Sequence, residues 1–406
     1  MVSGFNKKSS SISPGRIAWN KFRSNLSGMT ALTWVGLCIV VALLGYLITP
    51  DSAPFANTQH LELSAKTPGT RVEFLLVRKN TEVKEVSFFR KMFFGQQNLH
   101  DEIPISSYYF QNDSVYVEKY TGFDDFEGMI LEFHMADVVF PLDSVIVSGA
   151  DLQIFLTDGS GKTISPDKLR ETIERSHLVS KRFYLGTDRF GRDMVSQVII
   201  GARVSISVGF IAITIALFLG VIMGSLAGFF RGRTDNFIVW LINVVWSIPT
   251  LLLVIAITFA LGKGFWQIFI AVGLTMWVDV ARVVRGQIIS LRENEYIEAA
   301  RALGLTGFRI ITRHLLPNIT GPVVVISAAN FASAILIEAG LSFLGIGVQP
   351  PMPSWGNMIR ENYGFIILDK AYLAIIPGIC IMSLVMAFML IGNSLRDALD
   401  KSPVNY

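Results

Sequence analysis

Six long apolar stretches punctuate the chain, at residues 29–49, 204–230, 237–261, 265–284, 323–344 and 372–392. Each reaches the roughly 20 residues that a helix needs to cross a hydrocarbon core about 30 Å thick, which predicts six membrane spans. The first run follows a basic lead with Lys7, Lys8, Arg16, Lys21 and Arg23, like the front of a signal peptide. It is too long for a signal h-region and ends Leu47-Ile48-Thr49-Pro50 without a small-residue cleavage site, so an uncleaved helix is expected.

The connections carry the orientation. Arg231 and Arg233, then Arg285, Arg292, Arg301, Arg309 and Arg313, then Arg396 and Lys401 fall on alternate loops. The Gly262-Lys263-Gly264 turn is nearly bare, and Arg360 and Lys370 are the only Lys or Arg between 345 and the last span. The positive-inside bias therefore puts both termini in the cytoplasm and residues 50–200 outside.

Between the first two spans the texture changes. A connection of this length predicts a folded unit, an inserted extracytoplasmic domain at 50–184, β-rich or α+β. Residues 71–77, 129–133 and 151–156 read as short strands with turn residues such as Asp158-Gly159 between them. A helix is expected from Ser165-Pro166 to about Ser176, with the serine as cap. Gly159-Ser160-Gly161-Lys162-Thr163 imitates the tail of a phosphate-binding loop, but Leu156 stands where another glycine is required and Ile164-Ser165-Pro166 follows where a helix should start. A hairpin turn is the expectation there.

Composition narrows the function classes. The chain is 51% hydrophobic and 17% charged, with mean hydropathy +0.48, too apolar for an ordinary soluble protein. A net charge of +3 without an aromatic-interleaved basic block excludes a nucleic-acid partner and leaves membrane lipid as the expected surroundings. Cys38 and Cys380 sit inside apolar runs, and His60, His100, His134 and His177 lack a ligand neighbour at metal-site spacing, so no metal and no cofactor is expected. No nucleophile elbow or zinc-protease motif occurs, and catalytic residues are expected to be none.

The most informative stretch is the inner loop 292–318. Residues 295–303 are good helix formers, Ala299, Ala300 and Ala302 allow close approach of a partner backbone, and Gly304 can take the positive φ of a helix stop. A second short helix can start near Thr306, and Glu298 and Arg301 offer charge to a docking surface. By spacing alone, a surface helix with alanine filler fits equally well.

Glu298-Ala299-Ala300, Gly304 and Leu316-Pro317 in this order resemble the EAA loop of bacterial ABC importer permeases. His314, where many such permeases have isoleucine, points to the dipeptide, oligopeptide and nickel branch. Leu185-Gly-Thr-Asp-Arg-Phe-Gly-Arg-Asp193, the stretch 338–356 and the tail Leu395 to Asp400 resemble the second membrane subunit of that branch. The resemblance implies an all-α, six-helix permease of type I importer architecture in the bacterial inner membrane. It implies segments 1–28 (cytoplasmic), 29–49 (first span), 185–395 (permease core) and 396–406 (cytoplasmic tail). It also implies a second permease subunit, two ATP-binding-cassette ATPase subunits that bind the ATP, an extracytoplasmic substrate-binding protein and a peptide substrate. The long insert departs from the family pattern, as does Asn243, where many members have aspartate before Ser-Ile-Pro249.

On this reading the coupling residues are Glu298, Ala299, Ala300, Gly304, Leu316 and Pro317. Asn243, Pro249 and Glu338 are candidates for the pathway or its gate, although Glu338 and Asp279 fit a structural or interfacial role better, and Pro249 and Pro377 fit helix kinks. Residues 341–355 are expected to leave the helix and form a scoop or loop at the outer face. Two other readings stay open: a membrane-anchored sensor or enzyme acting through the insert, and import of nickel or another small solute.

Overall fold

The computed structural model describes residues 14–81, 83, 86–123, 126–148, 151–157, 159–262 and 264–399. Lys7, Lys8, Asp158, Lys263, Asp400 and Lys401, which figured in the sequence reading, lie outside the described residues.

A short amphipathic helix, α1 (Pro14–Ser24), leads into α2 (Leu26–Ile48), whose first turn is capped by Asn25. The chain then leaves the helical layer as β1 (Arg71–Arg78), α3 (Phe88–Phe94), β2 (His100–Gln111), β3 (Ser114–Lys119), β4 (Ile130–His134), α4 (Met135–Val139), β5 (Leu142–Ser148), β6 (Asp151–Leu156), β7 (Gly161–Ile164), α5 (Pro166–Thr172) and β8 (Leu178–Arg182). One antiparallel sheet has the order β4-β3-β2-β1-β8 and a smaller one β5-β6-β7. β6 alternates without error: Leu152, Ile154 and Leu156 point into a core shared with Leu75, Val117, Met135 and Leu169, while Asp151, Gln153 and Phe155 point out. The insert is therefore α+β. Lys162 and Thr163 lie in β7, paired with β6, so the phosphate-loop imitation is a hairpin. Ser165 precedes α5 but its side chain makes no capping bond, and the helix ends at Thr172 in a π-turn, Ile173–His177.

This unit joins the membrane part through a narrow neck. Arg71 pairs with Arg182, and just below them the Phe183 N–H donates to Thr70 O at 2.9 Å. Residues 51–70 below the neck are stitched to the spans: Tyr46 Oη accepts from Phe55 N–H at 2.9 Å, Ser196 Oγ from Asp51 N–H at 3.0 Å, and Tyr372 Oη donates to Lys66 O at 2.8 Å.

The helical layer continues with α6 (Met194–Phe230), α7 (Gly232–Trp246), α8 (Thr250–Leu261), α9 (Phe265–Arg292), α10 (Glu295–Ala302), α11 (Gly307–Ile310), α12 (Leu316–Phe343), α13 (Trp355–Asn362) and α14 (Tyr372–Leu399). Among the described residues, five helices are long and apolar enough to cross a membrane, a sixth if α7 and α8 count as one broken span. The third apolar run, 237–261, in which a kink is expected at Pro249, breaks by 93° between Trp246 and Thr250. The reason is local, since Pro249 has no N–H to continue the ladder and holds extended backbone (φ −52°, ψ 125°) ahead of α8.

The central pair is α6 against α9. Ala212, Ala216, Gly220, Gly224 and Gly228 recur every four residues and form a smooth stripe on α6. A Cβ on Gly220 would lie 2.5 Å from Val280 Cβ, and one on Gly224 2.5 Å from Ala281 O, so the two backbones touch where side chains are absent.

Candidate functional site

The loop after α9 is built to hold a fixed shape. α10 ends in a Schellman arrangement: Gly304 N–H donates to Arg301 O at 2.9 Å and Leu305 N–H to Ala300 O at 3.2 Å, with Gly304 at φ +75°. Thr306 Oγ1 then accepts from Arg309 N–H at 3.4 Å and starts α11. A π-turn over Ile311–Leu315 feeds α12, so α11, the π-turn and α12 form one long element, Gly307–Phe343. Pro317, at the start of α12, gives up an N–H that this first turn would leave unused. His314 lies half-buried in the π-turn, and its carbonyl accepts from Asn318 Nδ2 at 2.6 Å.

Ile297, Ile310 and Leu315 are fully buried in the same core cluster as Val208, Val272 and Val280 of the spans. The loop is thus joined to α6 and α9 through close-packed side chains. Of the six coupling candidates, Glu298, Ala299, Gly304 and Pro317 face solvent, Leu316 is half-buried, and Ala300 is turned into the core at 5% exposure. Ala300 is therefore placed as packing inside this chain. Two residues that pattern reading passed over stand out instead: Leu303 and Phe308, 82% and 78% exposed on either side of Gly304. A large apolar side chain on each flank of a helix-stop glycine was the available signal.

Cations brace this end of the bundle. Arg285 donates to both carboxylate oxygens of Asp235 at 2.6 and 2.8 Å, Arg231 Nη2 to Glu293 at 2.8 Å, and Arg292 Nη1 to Phe229 O at 2.8 Å. The Arg301 guanidinium sits 5.3 Å from the Phe229 ring centre.

The pathway candidates separate into two environments. Asn243 is exposed on α7 and Pro249 is exposed at the break, among exposed Trp240, Trp246 and Leu252. Arg282, three residues along α9 from half-buried Asp279, stacks on Trp246 with its guanidinium carbon 3.6 Å from the ring centre. Glu338 lies elsewhere and is fully buried. Ser342 Oγ donates to its Oε1 at 2.7 Å and Ser205 Oγ approaches its Oε2 at 3.4 Å. Ser342 Oγ also accepts from Val348 N–H at 3.3 Å. The carboxyl group thus ties α6 and α12 to the loop that follows Phe343, the expected departure from the helix. Pro377 is buried within a continuous α14.

The Leu185–Asp193 stretch forms a second buried polar network. Arg192 bonds Asp188 Oδ2 and Glu361 Oε2, each at 2.6 Å, with Arg192 and Asp188 side chains 5% and 2% exposed. Asp193 Oδ2 accepts from Ser196 N–H at 2.8 Å and caps α6. Trp355 of α13 donates to Val198 O at 2.9 Å. These bonds fasten the N-terminal ends of α6 and α13 together and seat the neck on them.

Residues 216–403 match the family described as binding-protein-dependent transport system inner membrane component. Over 221 residues the chain is 41% identical to a dipeptide transport system permease protein of Alkalihalophilus pseudofirmus, covering 54% of this chain and 72% of the relative. An oligopeptide transport system permease protein of Bacillus subtilis is 39% identical over 222 residues, with the same coverage of each. A solved inward-facing methionine ABC transporter aligns over 51% of this chain and 98% of its own at 18% identity and TM-score 0.44, too loose for any geometric argument. With more than two thirds of such permeases matched at these identities, the chain belongs to the binding-protein-dependent transport system inner membrane components.

Proposed function

We propose that this chain forms half of the translocation pathway of a di- or oligopeptide importer. It works beside a second permease subunit, two ATP-hydrolysing subunits and an extracytoplasmic substrate-binding protein. The peptide substrate rests on the printed names of the relatives. The mechanical role rests on one observation, the exposed Leu303-Gly304-Phe308 knuckle locked through Ile297, Ile310 and Leu315 to the span core. ATP-driven closure of the ATPase subunits moves that knuckle, and the packed core carries the movement to α6, α9 and α12. The broken α7–α8 pair, with Asn243 and Pro249, supplies the gate facing the partner permease, whereas Glu338 braces the outer end. Both termini and the knuckle lie in the cytoplasm, and the insert lies outside.

Co-purification from gently solubilised native membranes tests this. The wild-type chain brings down an ATPase and a second permease. Gly304→Asp, which puts a Cβ and a negative charge on the left-handed helix stop, and the surface pair Leu303→Ser with Phe308→Ser each lose the ATPase and keep the permease. If the ATPase stays bound to the surface pair, the knuckle is not the docking site. Uptake of a labelled dipeptide, a longer peptide and nickel by cells with and without the chain then separates the substrates. Loss of nickel uptake alone would overturn the peptide assignment.

A further inference from the structure

The connection from β1 to β2 does not stay with the sheet. It drops back to the outer end of α2 and there forms α3, Phe88-Phe89-Arg90-Lys91-Met92-Phe93-Phe94. No residue of this helix is buried, and Phe88, Phe89, Phe93 and Phe94 are 62%, 69%, 45% and 70% exposed. At 100° per residue, Phe88, Phe89, Met92 and Phe93 share one arc of about 140°, and Arg90, Lys91 and Phe94 lie outside it. Three uncovered phenylalanines on that arc form a patch that water does not tolerate without a partner.

The position of α3 says what the partner is. Its end is fixed at the last turn of α2: Gly95 lies against the Tyr46 ring, where a Cβ would be 3.0 Å from Cε1, and Gln96 N–H donates to Ser52 O at 2.9 Å. Arg203 of α6 donates to Met92 O at 3.3 Å. α2 spans Leu26–Ile48, about 34 Å of helix at 1.5 Å per residue, so its final turn meets the edge of a hydrocarbon core about 30 Å thick. The α2 surface is itself open to lipid, with Val40, Leu43 and Ile48 about half exposed. α3 therefore continues an apolar lipid-facing surface at headgroup depth, with two cations beside the level of lipid phosphates.

We propose that α3 is a membrane anchor of the outer domain, lying in the outer-leaflet interface with its Phe88, Phe89 and Phe93 face in the acyl chains and Arg90 and Lys91 at the phosphates. It holds the insert against the bilayer beside α2 and α6. The proposal requires only that α2 spans the membrane and does not depend on the transported substrate.

Spin labels test it in the assembled transporter, reconstituted into phosphatidylethanolamine–phosphatidylglycerol vesicles in a Cys38→Ala, Cys380→Ala background. Labels go on Phe88→Cys and Phe89→Cys, with Leu43→Cys on the lipid face of α2 and exposed Asp143→Cys on β5 as references. Accessibility to oxygen relative to a water-soluble nickel chelate should be roughly threefold or more above the Asp143 value at both α3 positions, approaching that of Leu43. A ratio at either position equal to that of Asp143 overturns the proposal. So does shielding from both reagents, the mark of a protein partner seated on α3.

Discussion

Arg192 shows how much one buried ion can hold. Its guanidinium is shared by Asp188, six positions before α6 begins at Met194, and by Glu361 on α13, so two distant chain segments converge on one charge. Removing one partner from a buried pair leaves charge without compensation, at a cost of about 3–5 kcal/mol. Arg192→Met should therefore lower the thermal midpoint of the solubilised protein sharply, and Glu361→Gln less, because Asp188 remains. A wild-type melting curve for Arg192→Met would remove this network from the list of structural ties. In the inserted α+β unit, His100 and His177 meet edge to face with ring centres 5.6 Å apart. Burial pushes both below the ordinary 6.5, and for His100 the facing His177 pushes further the same way. The folded domain then binds fewer protons than the unfolded one, so the contribution of this pair is complete above 6.5 and is lost as pH falls through the lower folded values. Melting scanned downward from neutrality should show that loss, and His177→Phe should flatten it.

The elements are set by small residues and stops more than by bulk. A Cβ on Gly224 would meet Ala281 O at 2.5 Å and Val284 Cβ at 2.8 Å, whereas one on Gly286 of α9 would meet nothing within 4 Å. Gly224→Val should destabilise the α6–α9 pair by about 1–3 kcal/mol through overpacking. Gly286→Ala should be neutral or stabilising by up to about 1 kcal/mol through helix propensity. Equal effects of the two on thermal stability would mean that the close contact is not what holds the pair. The stop at Gly304 was legible beforehand because a helix-forming run, a glycine and a restart at Thr306 are local signals. β2 was not legible: Pro104 inside it and the polar run His100-Asp101-Glu102 read against a strand. The structure accommodates them because Pro104 pairs with Phe74 and a bulge follows between Ile105 and Ser107.

At the scale of the molecule, a permease core and the inserted α+β unit meet through a neck that can be cut. Deleting Arg71–Arg182 and joining Thr70 to Phe183, already hydrogen-bonded at 2.9 Å, leaves the stitched segment on the spans intact. The shortened chain should still assemble with the ATPase and the second permease, while substrate-stimulated uptake is abolished if the insert guides the binding protein or caps the pathway. Unchanged uptake would make the insert dispensable for transport. Loss of assembly would give it a folding role.

By itself the sequence determined the number of apolar runs, the helix–glycine–helix loop and the permease resemblance, because each rests on residues close together in the chain. Only tertiary structure decided the rest. Ala300 turns inward, into the same core cluster as Ile297 and Ile310. Glu338 meets Ser205 across 133 positions, and Arg192 meets Glu361 across 169. Such partners carry no spacing signal: a buried polar group must be satisfied, but the fold alone chooses which distant residue does it.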